Sequence, residues 1–290
     1  MKGASLVVAA GLVLGLVGTA GAHVGEPLFC FQFPDHLIPV IDGDISDWDI
    51  VPDPPYWIHM DRPLIDAQHG EEINLADCNV KWATGWNNTT NRVYFAAWIY
   101  DDVRLDKGEY FSMYFDPAHL GLGPEGIYDF PTEEETKRWK FARAQKFYFM
   151  RLEKGKGLCF SYNYATWDME PPWGDAAVKY LKGSRGCACP AELTCEMYFT
   201  PWEDLNYKGP EYSKIVDLEE GHIMGIEIAL RDTDDPEVKG TYWELFAMPD
   251  AFKDASKWGD LILAPLEPGL PPPPAVESDT WGRIKASFLE

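Results

Sequence analysis

The chain has 290 residues, with 25 lysines and arginines against 47 aspartates and glutamates, a formal net charge of −22. A surface this acidic repels phosphate backbones and anionic lipid, which excludes nucleic acid as a natural partner. Hydrophobic residues make up 46% and aromatic residues 14%, enough to bury a sizeable core.

In chain order, the first segment reads as a secretory leader. Lys2 supplies a positive start, Leu6 to Val17 is apolar, and Thr19-Ala20-Gly21-Ala22 presents small residues to a signal peptidase. The apolar run falls short of the about 20 residues that span a bilayer, so residues 1–22 are predicted to be a cleaved signal peptide. No later stretch is apolar enough to span a membrane, so the mature chain is expected to be exported without membrane insertion, to the periplasm, the cell surface or the medium. Six cysteines follow: Cys30, Cys78, Cys159, Cys187, Cys189 and Cys195. An even count in an exported chain predicts disulfides, and sequence does not choose their pairing. A metal site from Cys159, Cys187, Cys189 and Cys195 is the alternative, although the spacing matches no usual zinc pattern.

Short β-branched and aromatic runs then alternate with Gly, Pro, Asn and Asp clusters. They predict strands near 79–84, 92–100, 109–116, 145–152, 158–164, 194–199, 222–231 and 260–264. Both faces of 93–100 are apolar, which predicts a central strand covered on both sides. Trp86 to Asn91 reads as a hairpin loop, and Asn87 and Asn88 each begin a glycosylation sequon. Thr132, three residues before Glu135, is a capping-box signature for a short helix over 132–141. Many strands and one helix predict an all-β fold: a two-sheet antiparallel β-sandwich, jelly-roll-like, with the helix in an insertion. The domain is expected over 23–266. Pro268 and the run Pro271 to Pro274 then form a linker. Beyond it Trp281, Ile284, Phe288 and Leu289 share one face of a short tail helix, a docking peptide for a protein partner or an arm on its own domain.

Four segments in order carry a resemblance. They are Val40-Ile41-Asp42-Gly43-Asp44-Ile45-Ser46-Asp47-Trp48; Val80-Lys81-Trp82 returning through Tyr94 to Asp102; Cys195 to Trp202; and Gly225 to Asp232 leading to Lys257-Trp258-Gly259-Asp260-Leu261-Ile262-Leu263. Together they resemble the family-nine carbohydrate-binding modules, over roughly Val40 to Ala264. Each segment also has a structural reading. Asp42-Gly43 turns the chain tightly, Trp48 is expected to plug the end of the sandwich, and Trp258-Gly259 opens the last strand.

The resemblance implies a saccharide held by aromatic stacking and polar side chains. Phe252 falls where one sandwiching tryptophan belongs, Asp106 near the other, and Ser112 at an acidic contact of the family. Gln145, Lys146 and Asp250 fall near its polar contacts, and Trp167 and Trp173 are an alternative aromatic surface or core plugs. The family also implies calcium, for which Asp232, Asp234 and Asp235 offer hard oxygen ligands, and Asp42, Asp44 and Asp47 a second cluster. Related sandwiches hold haem, and under that alternative Met113 or Met150 with Lys146 or His119 would ligate iron. The sequence lacks Gly-x-Ser-x-Gly, His-Glu-x-x-His and a phosphate loop, so no enzymatic activity is expected. The function predicted is a secreted carbohydrate-binding module, with haem electron transfer or a surface adhesion role as alternatives.

Overall fold

The computed structural model describes residues 25–61, 65–66, 73–105, 108–121, 130–149, 159–235, 237, 240–246, 248 and 250–273. The leader, the tail helix, Asp106 and Met150 lie outside the described residues.

The chain is mostly β. Its first half contains β1 (Leu28–Gln32), β2 (Ile58–His59), β3 (Ile65–Asp66), β4 (Cys78–Asn87), β5 (Arg92–Asp101), β6 (Tyr110–Asp116), the helix α1 (Glu133–Trp139) and β7 (Gln145–Phe149). The second half contains β8 (Cys159–Ser161), β9 (Gly174–Lys182), β10 (Ala191–Phe199), β11 (Trp202–Asp204), β12 (Lys214–Ile215), β13 (Ile223–Asp232), β14 (Thr241–Glu244) and β15 (Gly259–Leu263). All eight predicted strands are present. Strand β9 escaped notice because its alanines and lysines are poor strand formers. It is an edge strand, where lysines discourage pairing with other chains.

Thirteen strands form one continuous sheet with the path β8-β7-β6-β13-β15-β1-β4-β5-β10-β9, and β11 and β12 form a small second sheet. Strand β1 is the junction: Leu28 to Cys30 pair with β15, and Phe31 and Gln32 pair with β4. Both pairings are parallel, so the sheet is mixed where a wholly antiparallel one was expected. The two halves fold back over a shared core. Phe199 on β10 meets Phe115 and Phe147, each at 4.8 Å between ring centres, and Phe95 on β5 meets Phe111 at 5.6 Å. The alternation of each strand decides which side chains enter: Phe111, Met113 and Phe115 point inward from β6, and Phe147 and Phe149 from β7.

The first half of β5 is covered on both faces, as its apolar pattern predicts. Tyr94 and Ala96 on its outer side are buried beneath Phe33, Trp48 and Trp57. Trp48 therefore covers the outer face of the sheet and does not plug its end. The small side chains of Ala83 and Ala96 leave room for it there. Gly43 makes the turn into this cover at φ +85°, a left-handed conformation that favours glycine.

Helix α1 begins at the predicted cap: Thr132 Oγ1 accepts from the Glu135 backbone N–H at 3.2 Å and donates to Glu135 Oε2 at 2.8 Å. One disulfide, Cys187–Cys189, is formed, with Cα atoms 5.1 Å apart. Cys30, Cys78, Cys159 and Cys195 are thiols, the first two and Cys195 buried, so one bridge stands where three were expected. Among the described residues no helix is long and apolar enough to cross a membrane. The chain beyond β15 does not leave the domain at once: the Tyr56 hydroxyl donates to Glu267, Leu270 packs near Phe31 and Trp48, and the Pro271 carbonyl lies 2.8 Å from His36 Nε2.

Candidate functional site

The outer face of the β7-β6-β13-β14 region carries Phe252, Asp250 and Lys146 of the residues singled out for saccharide contact; Gln145 and Trp173 lie elsewhere. Alternation places Tyr110, Ser112 and Tyr114 of β6 on this face, with Lys146 and Tyr148 of β7 beside them and Tyr242 and Glu244 of β14 beyond Ala229. Met248 and the segment 250–258 cover it. Trp258 packs at 5.5 Å on Tyr114 and donates its indole N–H to the Ala251 carbonyl at 2.7 Å. Phe252 sits in this cover, half-buried, against the same cluster. Asp250 is exposed, in the left-handed conformation at φ +63°, and pairs with Lys253 at 3.1 Å.

Lys146 lies beneath this cover. Its ammonium is 4.2 Å from the ring centre of Tyr114, 4.6 Å from Tyr148, 5.5 Å from Tyr162 and 5.8 Å from Phe141. Four rings thus share one cation, a favourable arrangement for their electron-rich faces. Its field lowers the Glu244 carboxyl, although burial dominates and leaves that pKa raised. Glu227 is also buried. Desolvation, then the neighbouring Glu244, pushes its pKa well up. Glu227 Oε1 accepts from the Ile228 and Leu245 backbone N–H groups, each at 2.9 Å. Ser112 donates to the Ala229 carbonyl at 3.3 Å.

Gln145 is buried, with its side chain spent on the Thr200 carbonyl and the Trp202 N–H. Trp202 is the centre of a tryptophan cluster: its ring lies 5.2 Å from Trp167 and 5.5 Å from Trp173. Trp167 and Trp173 are half-buried and 6.1 Å apart, at 81° to each other. Edge-to-face packing of this kind holds a core together and leaves only ring margins to a ligand.

Two of the three predicted calcium ligands converge with residues that sequence reasoning missed. Asp232 and Asp234 meet Asp77 from the start of β4, Asp101 and Asp102 from the end of β5, and Glu109 from the start of β6. In overlapping groups of three, their carboxylate oxygens come within 4.8 Å of one another. Asp235 stands apart, exposed, and accepts from the Glu237 N–H at 2.9 Å. Arg104 partly neutralises the cluster through Glu109 and, at 3.6 Å, Asp101. Desolvation first, then like charge, pushes Asp232 up to about 8, and desolvation pushes Asp101 up to about 6. Asp102 Oδ1 is buried without a hydrogen-bond partner. Hard oxygens that repel one another and keep an unsatisfied lone pair fit a hard dication. The other candidate, Asp42, Asp44 and Asp47, is consumed by local structure: Asp44 pairs with Lys179 at 2.7 Å, and Asp42 and Asp47 accept backbone N–H groups.

Of the candidate haem ligands, Met150 lies outside the described residues, and Met113 and Lys146 point to opposite faces. Met113 points into the core from β6, whereas Lys146, paired beside Tyr114, points out of the opposite face. His119 is bonded to Asp260 at 3.0 Å. Met113 and Lys146 therefore do not fit as a pair on one iron.

A cleft that sequence reasoning did not single out opens beside β1 and β2, about 260 Å³ in volume. No periodic signal marks it, because it is formed by loop and strand residues far apart in the chain.

No family model and no curated protein matches the sequence. Among solved structures, a carbohydrate-binding module family 9 from Caldicellulosiruptor kristjanssonii in complex with cellotriose superposes with a TM-score of 0.53 at 14% identity, covering 86% of this chain and 100% of that one. The same type of module from that organism in complex with glucose gives 0.51 at 14%, covering 85% of this chain and 100% of that one. The chain has a fold like that of family-nine carbohydrate-binding modules. At this identity the likeness concerns the fold.

Proposed function

We propose that this chain is a non-catalytic saccharide-binding module, exported from the cell and built as a β-sandwich. The observation that carries the reading is the fold shared over nearly the whole domain with modules that hold cellotriose and glucose. Phe252 offers the ring: half-exposed, it packs against the aromatic layer, and the Lys253 ammonium, paired with Asp250, stands 4.8 Å from its centre, so a sugar on this ring displaces that exposed side chain. A pyranose lays its C–H face on such a ring while its hydroxyls take these polar groups. Lys146 serves this site from below, as a buried support of the ring layer, whereas Gln145 faces the other side of β7; Trp173 offers a ring margin in the separate tryptophan cluster.

Titration of the full chain with cello-, xylo- and manno-oligosaccharides tests the reading. Binding that is lost in Phe252→Ala supports it. Heat flat across the whole panel sinks it.

Calcium belongs to the same proposal. Asp77, Asp101, Asp102, Asp232 and Asp234 would hold the ion, tying the ends of β4, β5 and β13 together. Its role would be to neutralise mutual repulsion and fix the loops, leaving the saccharide to the rings.

A further inference from the structure

We propose that the cleft beside β1 and β2 is a second saccharide subsite, selective for a sugar that carries a protonated amine. It goes beyond the module reading and rests on it for the ligand being a saccharide.

Phe29, Pro54, Pro55 and Trp57 supply the apolar wall. Phe29 is 39% exposed although it stands in the strand that joins the two halves of the sheet. Its neighbours Leu28 and Cys30 are buried, so alternation turns this ring outward into the cleft. An aromatic ring with proline faces beside it suits the flat C–H side of a pyranose. The volume lies below the about 300–1,000 Å³ usual for drug-sized ligands, so the cleft accepts one sugar ring and not a chain.

The polar side of the cleft sets the selectivity. Among the described residues it is lined by Asp53, His59 and Asp61 and by no lysine or arginine. His59 Nε2 lies 2.7 Å from Asp53 Oδ2, which fixes both side chains at the mouth. Asp61 adds a second carboxylate. A neutral sugar finds hydrogen-bond acceptors here but brings no positive charge to the Asp61 carboxylate, whereas Asp53 already has His59 as a partner. An ammonium supplies that charge and gains charge-assisted hydrogen bonds. Trp57 already accepts such a cation: Lys81, paired across β2 and β4 with His59, holds its Nζ 5.0 Å from the ring centre. Lys81 itself does not line the cleft. The chain's net charge of −22 concentrates cationic ligands nearby. None of the residues around Phe252 lines this cleft.

The test is calorimetric titration of the full chain with glucosamine oligomers, their N-acetylated counterparts and cello-oligomers of equal length, in mildly acidic buffer. The expected result is that the amino sugar binds roughly tenfold or more tighter than both others, a difference of about 1.4 kcal/mol. Asp61→Asn and Phe29→Ala should each remove that preference, whereas Phe252→Ala should leave it in place. Melting curves verify that both variants fold, and Phe29→Trp should retain binding. Neutral oligomers binding as tightly as glucosamine oligomers would overturn the cleft proposal while leaving the module reading intact. No binding of any saccharide would overturn both. Tetralysine bound as tightly as the amino sugar, and lost in Asp61→Asn, would mark a docking site for basic side chains and overturn the sugar assignment.

Discussion

Trp48 donates its indole N–H to Glu196 Oε1 at 2.9 Å, while Glu196 Oε2 accepts the backbone N–H of Gly43 at 2.9 Å. One carboxyl thus pins both ends of the Asp42–Trp48 cover to β10 from 148 and 153 residues away. Replacement by glutamine keeps the shape but turns an amide N–H₂ toward one of these donors. Glu196→Gln is expected to lower stability by about 1–3 kcal/mol, the cost of leaving a buried donor unmet. Urea unfolding checks it.

The same carboxyl makes stability depend on pH. Desolvation raises the Glu196 pKa from 4.5 to about 7, against the lowering effect of Trp48. Between these values the folded state keeps a proton that the unfolded state releases. Stability contributed by this group therefore falls as pH rises from 4.5 through 7, then levels off. Melting curves across this range should show that slope in the wild type and a flatter one in Glu196→Gln.

Trp202 is buried at the meeting point of Trp167 and Trp173. Trp202→Ala removes the centre of the cluster while keeping the backbone N–H that Gln145 accepts. A loss of about 3–5 kcal/mol is expected, measured by chemical denaturation.

The acidic cluster gives paired expectations. Calcium should raise the melting temperature, and a chelator should reverse the rise. Asp232→Asn should abolish the calcium increment yet stabilise the ion-free protein, because it removes one member of a mutually repelling, desolvated set. Scanning calorimetry with and without the ion distinguishes these outcomes.

Of the two overlapping sequons, structure selects one. Asn87 is buried: its Nδ2 donates to the Phe33 carbonyl and to Asp35, each at 2.9 Å, and its Oδ1 accepts from the Thr90 N–H at 2.7 Å. Asn88 is exposed at the turn. In a glycosylating host, Asn88→Gln should abolish the glycan mass. Asn87→Ala should instead lower stability by about 1–3 kcal/mol.

Eight of the strands, the capped helix and the β-rich class were legible in the sequence, because alternation and capping are written in neighbours a few residues apart; the junction strand β1 and the edge strand β9 were not. Val93 to Tyr100 announced a strand covered on both faces, and Thr132 with Glu135 announced a helix start. Tertiary structure decided what those faces meet. Gln145 and Lys146 sit one residue apart on β7, yet Gln145 turns to the Trp202 backbone and Lys146 to a nest of tyrosines. Local pattern fixes only that they point to opposite faces. Asp232 and Asp234 were visible as an acidic loop, but Asp77, Asp101, Asp102 and Glu109 join them only because β4, β5, β6 and β13 end at one place. Phe29 and Asp61 form one cleft for the same reason: strand pairing brings distant segments together, and no spacing along the chain encodes which ones.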